Sequence, residues 1–281
     1  MSDFSKELPY FKNGKVRCSC GNEIPFTASS GLDFIKCSVC SKSNFIPLKI
    51  SRFWLIVPLG GGGMGSVYKG ISEDEKIECA IKILPRNSKN DQRLIKNLLR
   101  EIDAATKIGH HKNLAGLIDA GHSDDEYFMA TEFINGDRLD RCVDSHYQFT
   151  EREATNIIIQ ILEAEKQIIS GGFLFRDLKP ENVIVEKNGN VKVFDYGLCI
   201  PLEEAKTGNP NNDEIEGSPF YLPPERIVGA PEGEYSEIYS MGMLFFFMLS
   251  GRTYYSQAEI DDLVKKHITA IRIISTAPHL R

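Results

Sequence analysis

Apolar and polar positions alternate in short runs over the first half of the chain and settle into longer helical periods after that. Val16 to Phe26 (VRCSCGNEIPF) and Ile35 to Leu48 (IKCSVCSKSNFIPL) repeat one pattern: a β-rich run, a paired-cysteine turn, a polar turn and a second β-rich run. From Leu55 the pattern becomes strand, loop, strand, in LIVPLGGGGMGSVYKG followed by KIECAIKIL. In the alternating run Cys79-Ala80-Ile81-Lys82, Lys82 is aimed to the same face as Ala80. Leu94, Leu98, Ile102 and Ala105 recur at helical spacing, which predicts an amphipathic helix that carries Glu101. NVKVF before Asp195 reads as a strand. Met241 to Leu249 (MGMLFFFML) is about half the ~20 residues a membrane helix needs, so a buried core helix is expected and no membrane partner.

Composition narrows the class. The 281 residues are 42% hydrophobic and 26% charged, enough for a sizeable core and about two domains. A net charge of -6 gives a nucleic-acid partner no bulk electrostatic support. Seven cysteines, four of them within 23 residues (Cys18, Cys20, Cys37, Cys40), do not suit a secreted disulfide framework, and the polar N-terminus lacks an apolar signal segment. A reducing cytoplasmic location is expected.

The four clustered cysteines carry the first chemistry. Two tight turns that each offer two sulfurs close a four-thiolate tetrahedron, and the segment 16–48 resembles the zinc-ribbon family. With every ligand a cysteine, no position is left for a catalytic water, so a structural Zn²⁺ is expected. The first pair departs from the usual spacing, being Cys-x-Cys. This reading leaves the ribbon open to a protein partner and gives a nucleic-acid one little support.

Gly60, Gly62 and Gly65 match G-x-G-x-x-G. The residues that follow are β-branched and aromatic, which favours a glycine hairpin able to approach phosphates over a dinucleotide-binding helix start. The run Phe175-Arg176-Asp177-Leu178-Lys179-Pro180-Glu181-Asn182, then Asp195-Tyr196-Gly197 and Pro223-Pro224-Glu225, completes an ordered set of motifs. Together these resemble the eukaryotic-type protein kinase family from about residue 52 to about 255.

The resemblance implies an α+β, bilobal fold: a ribbon at 1–50, a β-rich N-lobe at about 51–134 and a mainly helical C-lobe at about 135–281. It implies an ATP- and Mg²⁺-dependent transfer to a serine or threonine of a protein substrate. Asp177 would accept or orient the hydroxyl proton, and Lys179 would neutralise the moving phosphoryl group. Asn182 and Asp195 would hold Mg²⁺, while Lys82, held by Glu101, would contact the α/β-phosphates. Leu59, Val67, Ala80 and Ile184 would wall the adenine, with Thr131 behind it and Glu132 to Ile134 as the hinge. Arg176 is of the kind that pairs with a phosphorylated activation segment, for which Thr207 and Ser218 are the candidates.

Several positions depart from the family. Phe175 and Tyr196 keep a ring where the family has His and Phe, and a buried Tyr196 hydroxyl needs a partner. Pro223 stands for Ala, a minor change. Glu237 stands where the family has Asp bracing the catalytic loop, and its extra methylene is expected to loosen that loop. The chain ends about forty to fifty residues before the family's C-lobe does, with one further helix expected in 261–275 and Glu225 left without its usual arginine. Glu237 and the short C-lobe favour an alternative, a pseudokinase or nucleotide-binding scaffold with a ribbon interaction module.

Overall fold

A computed structural model describes residues 4–27, 30–62, 65–144, 149–208, 216–255 and 260–269. The chain divides into two units: residues up to Leu99 together with Leu117–Phe133, and Arg100–Gly116 together with the chain from Ile134 onward.

The first unit begins with α1 (Leu8–Lys12) and two small hairpins, β1 (Lys15–Arg17) with β2 (Glu23–Pro25) and β3 (Phe34–Lys36) with β4 (Ser43–Phe45). Each hairpin is three residues per strand, too small to bury a core alone. They solve this by sharing one. Leu8, Phe11, Val16, Ile24 and Ile46 pack in a single apolar cluster with Trp54, Ile56 and Ile71 of the adjoining sheet. Phe11 lies against Trp54 at 5.6 Å between ring centroids, and Phe45 stacks on Tyr68 at 6.0 Å.

That sheet is antiparallel and six-stranded, in the order β5 (Leu48–Ile50), β6 (Phe53–Gly62), β7 (Gly65–Ser72), β8 (Glu78–Ile83), β10 (Glu126–Glu132), β9 (Leu117–Ser123). Its edge strand β5 comes from the last residues of the ribbon segment. Alternation in β8 sends Cys79, Ile81 and Ile83 into a core with Phe53, Leu55 and Phe128. α2 (Gln92–Ile108) follows β8 in the chain, and it is the helix its apolar period predicts.

The second unit holds a three-stranded sheet, β11 (Gly136–Arg138), β13 (Val183–Glu186) and β14 (Val191–Val193), and the pair β12 (Phe173–Leu174) with β15 (Ile200–Pro201). Its helices are α3 (Leu139–Asp144), α4 (Glu151–Ser170), α5 (Leu202–Ala205), α6 (Pro224–Ile227), α7 (Glu234–Ser250) and α8 (Ile260–Thr269). A reciprocal capping box starts α4: Thr150 Oγ1 accepts from the Glu153 N–H, and the Glu153 carboxylate accepts from the Thr150 N–H at 2.9 Å. Its buried stripe, Ala154, Ile157, Ile161, Ala164, Glu165 and Ile168, keeps helical spacing but includes one acid.

α7 buries Met241, Leu244 and Met248 and ends on Gly251, whose φ of 70° is the left-handed cap conformation. No helix among the described residues is long and apolar enough to cross a membrane. The helix expected in 261–275 is α8, and residues 270–275 lie outside the described residues.

Candidate functional site

In the first unit, four sulfurs converge. Cys18, Cys20, Cys37 and Cys40 place their Sγ atoms within 4.8 Å of one another, with Cys18–Cys40 at 3.5 Å and Cys20–Cys37 at 3.7 Å. All four are free thiols. Zinc–sulfur bonds of about 2.3 Å in a tetrahedron put sulfurs about 3.8 Å apart, so the cluster fits a Cys₄ metal centre. The Cys-x-Cys turn is no obstacle. Gly21, at φ 90°, donates its N–H to the Cys18 carbonyl at 2.8 Å and folds the chain back so that Cys18 and Cys20 face the second turn. In that second turn the N–H groups of Cys40 and Val39 point at Cys37 Sγ and pull its pKa down to about 6, while Cys40, against the pull of the Lys42 N–H, is pushed up to about 12 by Cys18 and by burial.

The glycine run forms the expected strand, loop, strand. Gly60 pairs with Val67, Gly61 with Ser66 and Gly62 with Gly65, and residues 63–64 lie outside the described residues. Gly65 is required by close approach: a Cβ there would lie 2.8 Å from the Ile83 carbonyl and 3.5 Å from the Lys82 side chain. Cross-strand register puts Val67 beside Lys82 and Ala80 beside Thr131, so these four share one half-buried face of the sheet. Thr131 Oγ1 reaches the Ala80 carbonyl at 3.5 Å, and Leu59 is exposed. Glu132 ends β10, and the chain passes from the first unit to the second between Phe133 and the buried Ile134.

In the second unit, Glu101 is buried on α2, in the other unit from Lys82. Asp177 is 7% exposed. Its Oδ2 accepts from Lys179 Nζ at 2.8 Å and from Asn182 Nδ2 at 2.7 Å, and Asn182 also bonds the Asp177 carbonyl at 3.0 Å. Asp177 Oδ1 is buried with no partner among the described residues. Burial pushes the Asp177 pKa up, and Lys179 and Asn182 oppose that rise. The result is a carboxylate held by one oxygen with the other left as an acceptor.

Ile184 lies on β13, half-buried, two residues past Asn182, whose carbonyl takes the Phe194 N–H at 3.1 Å and so ties the segment after Asp177 to the one that leads into Asp195. Asp195, at φ 73°, receives the Gly197 N–H on Oδ1 at 3.3 Å. The two ring replacements pack edge to face, Phe175 against Tyr196 at 6.5 Å, and the Tyr196 hydroxyl finds its partner in the Ala115 carbonyl at 2.9 Å.

Glu237 corrects the expectation drawn from it. Its longer side chain still delivers Oε1 to the Arg176 N–H at 2.9 Å, so the brace on the loop that carries Asp177 is kept. Glu225 Oε1 is buried without a partner among the described residues. Thr207 is exposed at the end of α5 and spends its hydroxyl on the Glu204 carbonyl at 2.7 Å, while Ser218 is half-buried. Sequence reasoning missed Arg226 and Glu232. Both are buried: Arg226 Nε and Nη2 meet Glu232 Oε2 at 2.8 and 2.7 Å, and Arg176 Nη2 meets Glu232 Oε1 at 3.0 Å. No spacing rule marks them, because the partners come together only through the turn after α6.

The sequence matches the protein kinase domain family over residues 53–280. It is 32% identical over 221 residues to the serine/threonine-protein kinase PrkC of Bacillus subtilis, covering 78% of this chain and 33% of that protein. It is 33% identical over 219 residues to the probable serine/threonine-protein kinase PknB of Lactococcus lactis, covering 77% of this chain and 34% of that one. A 28% identity over 216 residues relates it to the serine/threonine-protein kinase fused of Drosophila melanogaster. The aligned part thus spans about a third of the length of the first two relatives.

Proposed function

We propose that this chain, which belongs to the protein kinase domain family, transfers the γ-phosphoryl group of ATP to a serine or threonine hydroxyl of a protein. The observation that carries the reading is Asp177: one carboxylate oxygen fixed by Lys179 and Asn182, the other buried and without a partner among the described residues. Such an acceptor takes or orients the proton of an incoming hydroxyl. The names of the bacterial relatives support serine/threonine specificity.

In this reading Gly60, Gly62 and Gly65 offer backbone N–H groups to the phosphates, and Lys82, with Glu101 as its partner, contacts the α/β-phosphates. Val67, Ala80, Leu59 and Ile184 line the adenine, Thr131 lies behind it, and Glu132 to Ile134 bond its edge. Asn182 and Asp195 are the oxygen donors for Mg²⁺, which when bound screens the phosphate charge. Lys179, already beside Asp177, neutralises charge on the transferred group. The four-cysteine cluster holds a structural Zn²⁺, and the ribbon is available to a protein partner. Seven free thiols support a reducing, cytoplasmic setting. The pseudokinase alternative loses one of its two grounds, since Glu237 keeps its bond to Arg176.

The test compares wild type with Asp177→Asn in labelled-ATP transfer with Mg²⁺. A fall of about 10²- to 10⁴-fold is expected. Equal incorporation by both proteins sinks the reading.

A further inference from the structure

Arg176 stands immediately before Asp177 with φ 69°, a left-handed conformation that a non-glycine residue keeps only where the surroundings impose it. Both of its backbone polar groups are held. The N–H goes to Glu237 Oε1 at 2.9 Å, and the carbonyl accepts from Arg226 Nη1. The side chain is held as well, by Glu232 at 3.0 Å and by Glu216 at 4.0 Å. Glu232 is the common point. Its Oε1 meets Arg176, its Oε2 meets Arg226, and it is only 7% exposed.

The chain around this triad fits it closely. The Glu232 N–H bonds the Ala205 carbonyl at 2.9 Å, which ties the residue to the start of the segment that carries Thr207. Gly217, at φ 122°, backs onto Arg226: a Cβ there would lie 2.8 Å from Leu222 and 3.4 Å from Arg226 Nη1. A buried carboxylate shared by two guanidinium groups is a charge arrangement that loses stability sharply when one member is removed.

We propose that Arg226 and Glu232 are positioning residues for Asp177, and that Glu232 is the resident counter-charge of Arg176, in the place a phosphorylated activation segment would otherwise occupy. The inference rests on the kinase reading above and adds to it a mode of regulation. With Arg176 already paired to Glu232 and its backbone held from both sides, phosphorylation at Thr207 is not needed to set the catalytic loop. The Thr207 hydroxyl, bonded to Glu204, accords with that.

The experiment uses the full chain treated with phosphatase, phosphate removal being verified by mass spectrometry. Initial rates are measured on dephosphorylated casein, and amide exchange is followed at Arg176 and Asp177. The dephosphorylated wild type should keep its kcat within about twofold, while Glu232→Gln should lose about tenfold or more in kcat with KM for ATP within about twofold, the pattern of misplaced chemistry and not of lost binding. Amide exchange at Arg176 should quicken in that variant. Arg226→Lys guards against simple misfolding: it keeps the charge, and it should lower kcat while the thermal midpoint stays within a few degrees of wild type.

A phosphatase-treated wild type as slow as Glu232→Gln, or wild-type kcat in either variant, overturns the proposal. If the wild type transfers no phosphate at all, the kinase reading fails by itself. The exchange rates then still decide the role of Glu232, and unchanged exchange at Arg176 counts against it.

Discussion

Glu237 Oε1 accepts the backbone N–H of Arg176 at 2.9 Å, from a helix sixty-one residues further along the chain, and so holds the residue that precedes Asp177. A glutamate does here what the family assigns to an aspartate. The acceptor is a single oxygen, since Oε2 has no partner among the described residues. Glu237→Gln should therefore retain the bond and most of the activity. Glu237→Ala leaves a buried N–H unsatisfied and should cost about 1–3 kcal/mol. Thermal midpoints and kcat of the two variants, measured side by side, check this.

Glu165 is a buried acid on the apolar stripe of α4, and neither of its oxygens has a partner among the described residues. Burial raises its pKa well above the ordinary carboxylate value, and the nearby Glu237 raises it further. The native state thus binds a proton that the unfolded chain, with a glutamate pKa of about 4.3, releases. Stability from this group is fully present below that value and is lost as pH rises through the folded pKa. Glu165→Met should raise the thermal midpoint at pH 7 and flatten the decline in wild-type stability above pH ~4.3, with little effect below it. Unfolding curves at stepped pH test the sign.

The Tyr196 hydroxyl bonds the Ala115 carbonyl inside the second unit. Tyr196→Phe removes one partner of a buried bond, so a loss of about 0.5–1.5 kcal/mol is expected, with the ring contact to Phe175 intact. Activity should be nearly unchanged. Chemical denaturation and a transfer assay on the same preparation separate the two effects.

Cys18, Cys37 and Cys40 share an apolar cluster with the sheet through Trp54, Ile56 and Ile71, so loss of the metal should reach beyond the ribbon. Elemental analysis should find one zinc per chain. Chelation, or Cys37→Ser, should lower the thermal midpoint and quicken amide exchange in residues 53–72, because a metal that binds the folded form contributes its binding free energy to folding. No bound zinc, or exchange changes confined to residues before 47, would count against this coupling.

Gly65 has room only for hydrogen, with the Ile83 carbonyl 2.8 Å from where a Cβ would be. Gly65→Ala should displace the hairpin, raise KM for ATP several-fold and cost more than about 1 kcal/mol of stability. Nucleotide titration against a melting curve distinguishes a local from a global effect.

Much of this protein is legible in the order of its residues. The four cysteines, the glycine hairpin, Lys82, Asp177 with Lys179 and Asn182, and Asp195 are each recognisable because their chemistry depends on local spacing: paired sulfurs from one turn, N–H groups from a hairpin without Cβ atoms, an acid and an amide five residues apart. The strand, loop, strand over 55–83 and the helix around Glu101 follow from apolar periods of two and of about 3.6.

Long-range packing decided the rest. Whether an extra methylene at Glu237 breaks a brace depends on where α7 lies relative to Arg176, and the tertiary structure leaves the bond intact. Arg226 and Glu232 carry no local signal, yet folding brings both to Arg176, fifty and fifty-six residues away in sequence. The ribbon hairpins, too short to hold a core, are stabilised against a sheet whose strands lie beyond them in the chain. Spacing along a chain specifies groups that act within one turn or strand. Pairing of buried charges and sharing of a core are set by contacts between distant segments, which form only when the whole fold does.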